Sequence, residues 1–187
     1  TIDLSGKYDD LLNSTEEALM RVYNSLQAGM KLRDIGKIIE ETIKARGFKP
    51  VKNLSGHNLG YYMIHAGKSI PNYYDPFTPG KIEAGDVVAI EPFATNGAGY
   101  VMEGDVKPIV AIKKLRPRHV SSEAKKVYKE AYKRFRTLPF TERWLKDMFP
   151  DISILRKALR ELAHKNIIFE YPVLIERKGG IVSQFEH

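Results

Sequence analysis

There is no cysteine among the 187 residues. That removes disulfides, thiolate zinc sites and cysteine nucleophiles together. It leaves His, Asp and Glu as the side chains able to hold a metal. No apolar run reaches the roughly 18 residues of a membrane-spanning helix, so no membrane partner is expected. No basic-then-apolar leader opens the chain, so it is expected in the cytoplasm. There is no phosphate-binding loop and no GxSxG elbow. Gly97-Ala98-Gly99 is too short for a nucleotide fingerprint and reads as a tight turn. What remains is the composition of a globular protein, 43% hydrophobic and 28% charged, long enough for one domain and a smaller second one.

Charge is scarce in one part and concentrated in another. The formal net charge is +7, yet residues 107–177 hold 18 Lys and Arg against 8 Asp and Glu, while the remainder holds 12 against 15. Such asymmetry predicts two modules, the basic one suited to a nucleic-acid or ribosomal surface or simply to a solvated face.

The first part reads as helical. Ser14 with Glu17 three positions later forms a capping-box pattern, followed by an apolar stripe of Ala18, Leu19, Val22 and Leu26 that Gly29 stops. A second helix from about Leu32 carries Ile35, Ile38, Ile39 and Ile43 and ends at Gly47. From Phe48 to Val106 short β-type runs alternate with Gly and Pro, with Tyr61–Ile64, Asp86–Ile90 and Tyr100–Val101 as candidate strands. The basic segment is predicted as three helices: one capped at Ser121 or Ser122, a short one over Thr141–Met148 and one capped at Asp151 or Ser153. Ile167–Phe169 then begins a strand, and Lys178-Gly179-Gly180 is predicted to turn a hairpin, which is a winged-helix layout. Thr1 opens on what reads as the end of a strand and Ser183–His187 closes on a strand pattern, so both ends look cut from something longer. Helices followed by strands make the fold class α+β.

Four polar residues stand in apolar or glycine-rich settings. His57 follows Ser55-Gly56, and His65 sits between Ile64 and Ala66-Gly67. Glu91 ends the run Val87–Ile90 just before Pro92, and Glu186 closes Val182–Phe185. An unpaired buried carboxylate costs several kcal/mol, so Glu91 either escapes to water or meets a cation or metal. Two histidines beside glycines, two strand-borne carboxylates and no cysteine are compatible with a metal site or with hydrogen-bonded structural residues. His119 and His164 read as surface residues.

Ser55-Gly56-His57, Ile64-His65-Ala66-Gly67, Ala89-Ile90-Glu91-Pro92-Phe93 and Gln184-Phe185-Glu186-His187, in that order, resemble the C-terminal half of the methionine aminopeptidases. Thr137–Phe140, Arg143-Trp144-Leu145 and Tyr171–Leu174 resemble the insert of the type II class. The resemblance implies a pita-bread (creatinase/aminopeptidase) α+β fold, present here in part, over residues 1–106 and 178–187. It implies a winged-helix-like insert over 107–177. It also implies removal of the N-terminal methionine from nascent polypeptides by a site with two divalent metal ions (Co, Mn, Fe or Zn). His57, Glu91 and Glu186 would be ligands, Glu186 bridging both metals and Glu91 doubling as general base. His65 would hydrogen-bond the scissile amide or the developing oxyanion, and Tyr171 would line the methionine pocket. The family's two ligand aspartates would fall ahead of Thr1, so these 187 residues hold three of five ligands. The chain alone is expected to be inactive without a missing N-terminal segment or chain that supplies them. The expected partners are nascent N-termini beginning with Met, and the ribosome. The competing expectation is a non-catalytic relative that uses the basic insert to bind RNA, ribosome or protein. Specific DNA binding is not expected, because Leu155 and Leu159 interleave with Arg156, Lys157 and Arg160.

Overall fold

Apolar residues recurring every three or four positions fold the first quarter of the chain into α1 (Asp9–Ser25) and α2 (Leu32–Ala45). The computed structural model describes residues 1–187. Leu11, Ala18, Leu19 and Val22 of α1 meet Leu32, Ile35, Ile39 and Ile43 of α2 in one core with Ile70, Ile82, Ile90 and Ala94. The capping pattern at Ser14 misplaces the helix start. α1 begins at Asp9, and Ser14 is buried inside it, donating to the Leu11 carbonyl at 2.7 Å. Asp3 organises the approach, its carboxylate accepting from the Ser5 and Tyr8 amides at 2.8 and 2.7 Å. Gly29 lies beyond the helix end at Ser25 and takes a turn with φ +93°, a conformation in which glycine carries no Cβ penalty.

The chain divides into two compact units, Thr1–Met102 with Leu174–His187, and Glu103–Val173. In the first unit, β2 (Ser55–Asn58) lies between β3 (Ser69–Pro71) and β4 (Val88–Ala89), antiparallel to both. β5 (Phe93–Thr95) lies between β1 (Lys49–Pro50) and β11 (Val182–Gln184), again antiparallel. β6 (Val101–Glu103) pairs with β10 (Leu174–Glu176). Buried Pro92 separates β4 from β5. It has no N–H to continue a ladder, and the chain changes sheets there. Tyr61–Ile64 is not the strand its composition predicts. Gly60 and Met63 close a tight turn by exchanging backbone hydrogen bonds of 2.8 and 3.0 Å, with Tyr62 at φ +52°.

In the second unit, β7 (Ile109–Ile112) is the centre of a sheet flanked by β8 (Phe140–Thr141) and β9 (Ile168–Tyr171). α3 (Ser122–Phe135) is capped by the Ser121 hydroxyl, which accepts from the Ala124 amide. A 3₁₀ helix occupies Glu142–Met148, and α4 (Ile152–His164) is capped by Asp151. Val127, Ala131, Phe140, Leu145, Leu155, Leu162 and Ile168 form a separate core. The boundaries of this unit, 103 and 173, each fall four residues ahead of the 107 and 177 read from charge. The predicted hairpin at Lys178–Gly180 does not form. The turn exists, but β10 on one side pairs with β6 and β11 on the other pairs with β5. Strand partners were decided by distant segments, which a local turn signal does not encode.

That turn is organised by Glu176, only 4% exposed. Its carboxylate accepts from the backbone amides of Ala98 and of Gly99 (3.1 Å), Lys178 (2.7 Å) and Gly180 (3.0 Å). Burial pushes its pKa up, but these four amides outweigh that and hold it below the usual carboxylate range. The cradle is sized by glycine. A Cβ on Gly97 would stand 2.3 Å from the Glu176 carboxylate. Glu176→Gln brings an NH₂ against a ring of donors, so its Tm drops by several degrees at pH 7. The stability at issue is present above the unfolded-state carboxylate pKa and is lost as pH falls through the lower folded-state value. Thermal melts should therefore show the gap closing in acid. In β2, a Cβ on Gly56 would stand 2.3 Å from the Ala89 carbonyl oxygen. Gly56→Ala is thus expected to cost about 1–3 kcal/mol in denaturant unfolding through forced separation of β2 and β4.

Candidate metal centre

His57, Glu91 and Glu186 come from three strand regions that sheet register brings together. β2 pairs His57 with Ala89, two residues ahead of Glu91. β11 pairs Val182 with Thr95 and Gln184 with Phe93. Beyond the assigned strand ends, Ile90 and His187 exchange backbone hydrogen bonds of 2.9 and 3.2 Å. The same register therefore sets Glu186 opposite Glu91.

The side chains meet in sequence. His57 Nε2 lies 3.2 Å from Glu91 Oε1, both side chains being 15% exposed. Burial first and the neighbouring Glu186 second raise the Glu91 pKa; His57 pulls it down by less. Glu186 is exposed and takes a hydrogen bond from the Gln184 amide nitrogen at 3.3 Å. The His65 ring stands edge-on to His57, centroids 4.5 Å apart at 83°. Partial burial, then the proximity of His57, lower its pKa, so it is neutral at pH 7 and retains one N–H to donate. His187, across from Ile90, packs its ring on Tyr23 at 5.5 Å.

No Lys or Arg forms an ion pair with Glu91 or Glu186. His57 Nδ1 is buried with no hydrogen-bond partner. Glu91 neighbours both His57 and Glu186 without a counter-cation, and one imidazole with two carboxylates is a donor set whose chemistry fits a divalent transition ion. The set is not a closed cage: no group of three or more His, Asp or Glu side chains is positioned to hold an ion. Asp3, the acidic residue nearest Thr1, is spent on the Ser5 and Tyr8 amides. Tyr171 belongs to the other unit, at the end of β9 opposite Ile109, with its ring 4.7 Å from Phe169. His119 and His164 are exposed. No helix is long and apolar enough to cross a membrane.

Sequence reasoning passed over Gln184 and Glu176. The signal for Gln184 was available, since Gln184 and Glu186 are two apart on an extended segment and share a face. For Glu176 the only hint was that two glycine-rich turns, 97–99 and 178–180, both flank strands.

Over its full length the chain is 42% identical to a methionine aminopeptidase of Saccharolobus solfataricus and, over 188 aligned positions, 45% identical to one of Thermococcus onnurineus. It spans 62% and 63% of the lengths of these curated relatives. A solved structure of a thermophilic Arx1 superposes on 97% of this chain and 54% of its own, with a TM-score of 0.75 at 17% identity, a likeness of fold. Residues 1–115 match the sequence pattern of metallopeptidase family M24, and they contain His57, His65 and Glu91. The α+β architecture, the convergence of His57 with Glu91 and Glu186, and this match agree: the chain belongs to metallopeptidase family M24.

Proposed function

We propose that this chain carries the metal-binding part of a type II methionine aminopeptidase, which removes the initiator methionine from new polypeptides in the cytoplasm. The observation that supports it is the register of β5 and β11, which sets Glu186 opposite Glu91 with His57 3.2 Å away and no basic side chain to neutralise them. His57, Glu91 and Glu186 are the residues that would hold the metal. When bound, two divalent ions (Co, Mn, Fe or Zn) supply Lewis acidity and lower the pKa of water at the site.

Glu91 takes the proton of the attacking water. The Gln184 amide orients Glu186 through the 3.3 Å hydrogen bond. His65, kept neutral, donates to the scissile amide or to the oxyanion that develops from it. The basic unit, residues 103–173, is the winged-helix-like insert of this class.

The activity is tested in a chimera in which this chain replaces the 187 aligned residues of the Saccharolobus solfataricus relative. Loaded with Mn²⁺ or Co²⁺, it should release methionine from Met-Ala-Ser. Glu91→Gln should lower kcat by about 100-fold or more, and retention of more than a tenth of the activity would sink the assignment of the base. Glu91 gives a second prediction in the metal-free 187-residue chain. Its folded-state pKa lies above the unfolded value, so its ionisation costs stability as pH rises through the carboxylate range. Glu91→Gln should therefore melt a few degrees above wild type at pH 7. Melts at a pH below the ordinary carboxylate range should show no difference.

A further inference from the structure

The second unit carries 17 Lys and Arg against 9 Asp and Glu. A hollow of about 680 Å³ in it is bounded by β7, the 3₁₀ helix, α4 and β9. Val110, Leu159 and Ile168 contribute its apolar lining, and five cations line it with only two acids. Both acids are taken. Glu142 is held by the Arg156 guanidinium at 2.8 Å, and Glu170 by Lys107 at 3.5 Å. Arg143, Lys146 and Arg160 are exposed and form no ion pair or hydrogen bond, Lys146 lying only near enough to Glu142 to help lower its pKa. Positions three apart eclipse on a 3₁₀ helix, so Arg143 and Lys146 form one row. Arg156 and Arg160, four apart on α4, form another. Gathering unpaired like charges in one hollow costs stability, and an anion there would offset that cost.

A second hollow of about 410 Å³ adjoins the first and shares Pro108, Thr141 and Arg143 with it. It is lined by Ile109, Pro139, Phe140 and Trp144. Trp144 is 51% exposed, although one side of its ring meets Phe135 at 5.5 Å. A half-exposed indole beside a row of free cations is the pairing that binds single-stranded nucleic acid, phosphates on the cations and a base stacked on the ring. Trp and Arg also anchor protein–protein interfaces, so an acidic polypeptide is the competitor that the test has to separate.

We propose that this groove binds a short single strand of nucleic acid, with Arg143, Lys146 and Arg160 on its phosphates and Trp144 under a base. The site is independent of the aminopeptidase reading, since all of these residues belong to the second unit and His57, Glu91 and Glu186 to the first.

Trp144 is the only tryptophan in the chain, so its fluorescence reports the site directly. The 187-residue chain is titrated with 12-mers of uridylate and of thymidylate, with a 12-bp duplex, and with polyphosphate and polyglutamate. At 50 mM salt a single strand of either sugar should quench Trp144 and bind. The slope of log K against log salt should be about −2, the value for three phosphates on a single strand. In anisotropy with a labelled uridylate 12-mer, Arg143→Glu/Lys146→Glu should weaken binding at least 10-fold and flatten the slope. Trp144→Ala should weaken it about 5-fold or more. All substituted side chains are exposed, and circular dichroism confirms that the variants fold. No binding at 50 mM salt overturns the proposal. So does binding untouched by the double variant, tighter binding of duplex than single strand, or equal quenching by polyglutamate or polyphosphate.

Discussion

The first unit is organised around two carboxylates that would repel each other, Glu91 and Glu186, held face to face by backbone pairing. Nothing local to either residue recommends the position. It is imposed by the ladder between β5 and β11 and continued by the Ile90–His187 hydrogen bonds. That ladder is fastened at several points along its length. Thr15 of α1 and Ser183 of β11 share a buried hydrogen bond of 2.6 Å. Thr95 donates to the Ile181 carbonyl at 2.7 Å. Glu176 ties together the two turns beyond the far end of the same strands. A one-residue slip would turn Glu186 to the opposite face of the strand, and each of these contacts opposes such a slip. The buried hydroxyls and the buried acid thus help to hold Glu91 and Glu186 opposite each other although none approaches them.

The two units handle charge in opposite ways. In the first, polar groups that matter are desolvated and few: an imidazole with one orphan nitrogen, a carboxylate pushed toward its neutral form, a neighbouring histidine kept uncharged. In the second, charge is abundant, exposed and mostly of one sign, and several acids are held by cations, Glu130 and Asp147 by Arg134 and Glu142 by Arg156. The first arrangement suits proton movement at a fixed point. The second suits attraction of an anion, which salt would screen.

The long amphipathic helices were legible from sequence because their signal is periodic and local. α2 and α4 begin within a residue or two of where their stripes and caps place them. The failures share a cause. Ser14–Glu17 has the spacing of a helix start, but the preceding turn also packs against the core through Leu11, so the helix extends back to Asp9. Lys178–Gly180 has the residues of a hairpin, but distant strands compete for both of its arms. The site was visible as a set of residues out of place, His57, His65, Glu91 and Glu186, and as a resemblance in their order. Its geometry was not visible, since it depends on a pairing between residues more than ninety positions apart.

The second unit interrupts the first, so residues 103–173 must be traversed before β11 can reach β5. Closing a flexible loop of that length costs about 4 kcal/mol in chain entropy. The Gly104 amide, however, donates to the Val173 carbonyl at 2.7 Å, and the Val173 amide donates to the Val106 carbonyl at 2.8 Å. Entry and exit of the second unit are therefore clasped together by its own backbone. Its core is drawn wholly from contiguous chain, so it can form without waiting for the first unit. Once formed, it acts as a short tether in place of a long loop. The chain-entropy cost of bringing β11 to β5 is thereby that of the short clasp rather than of the whole 103–173 loop.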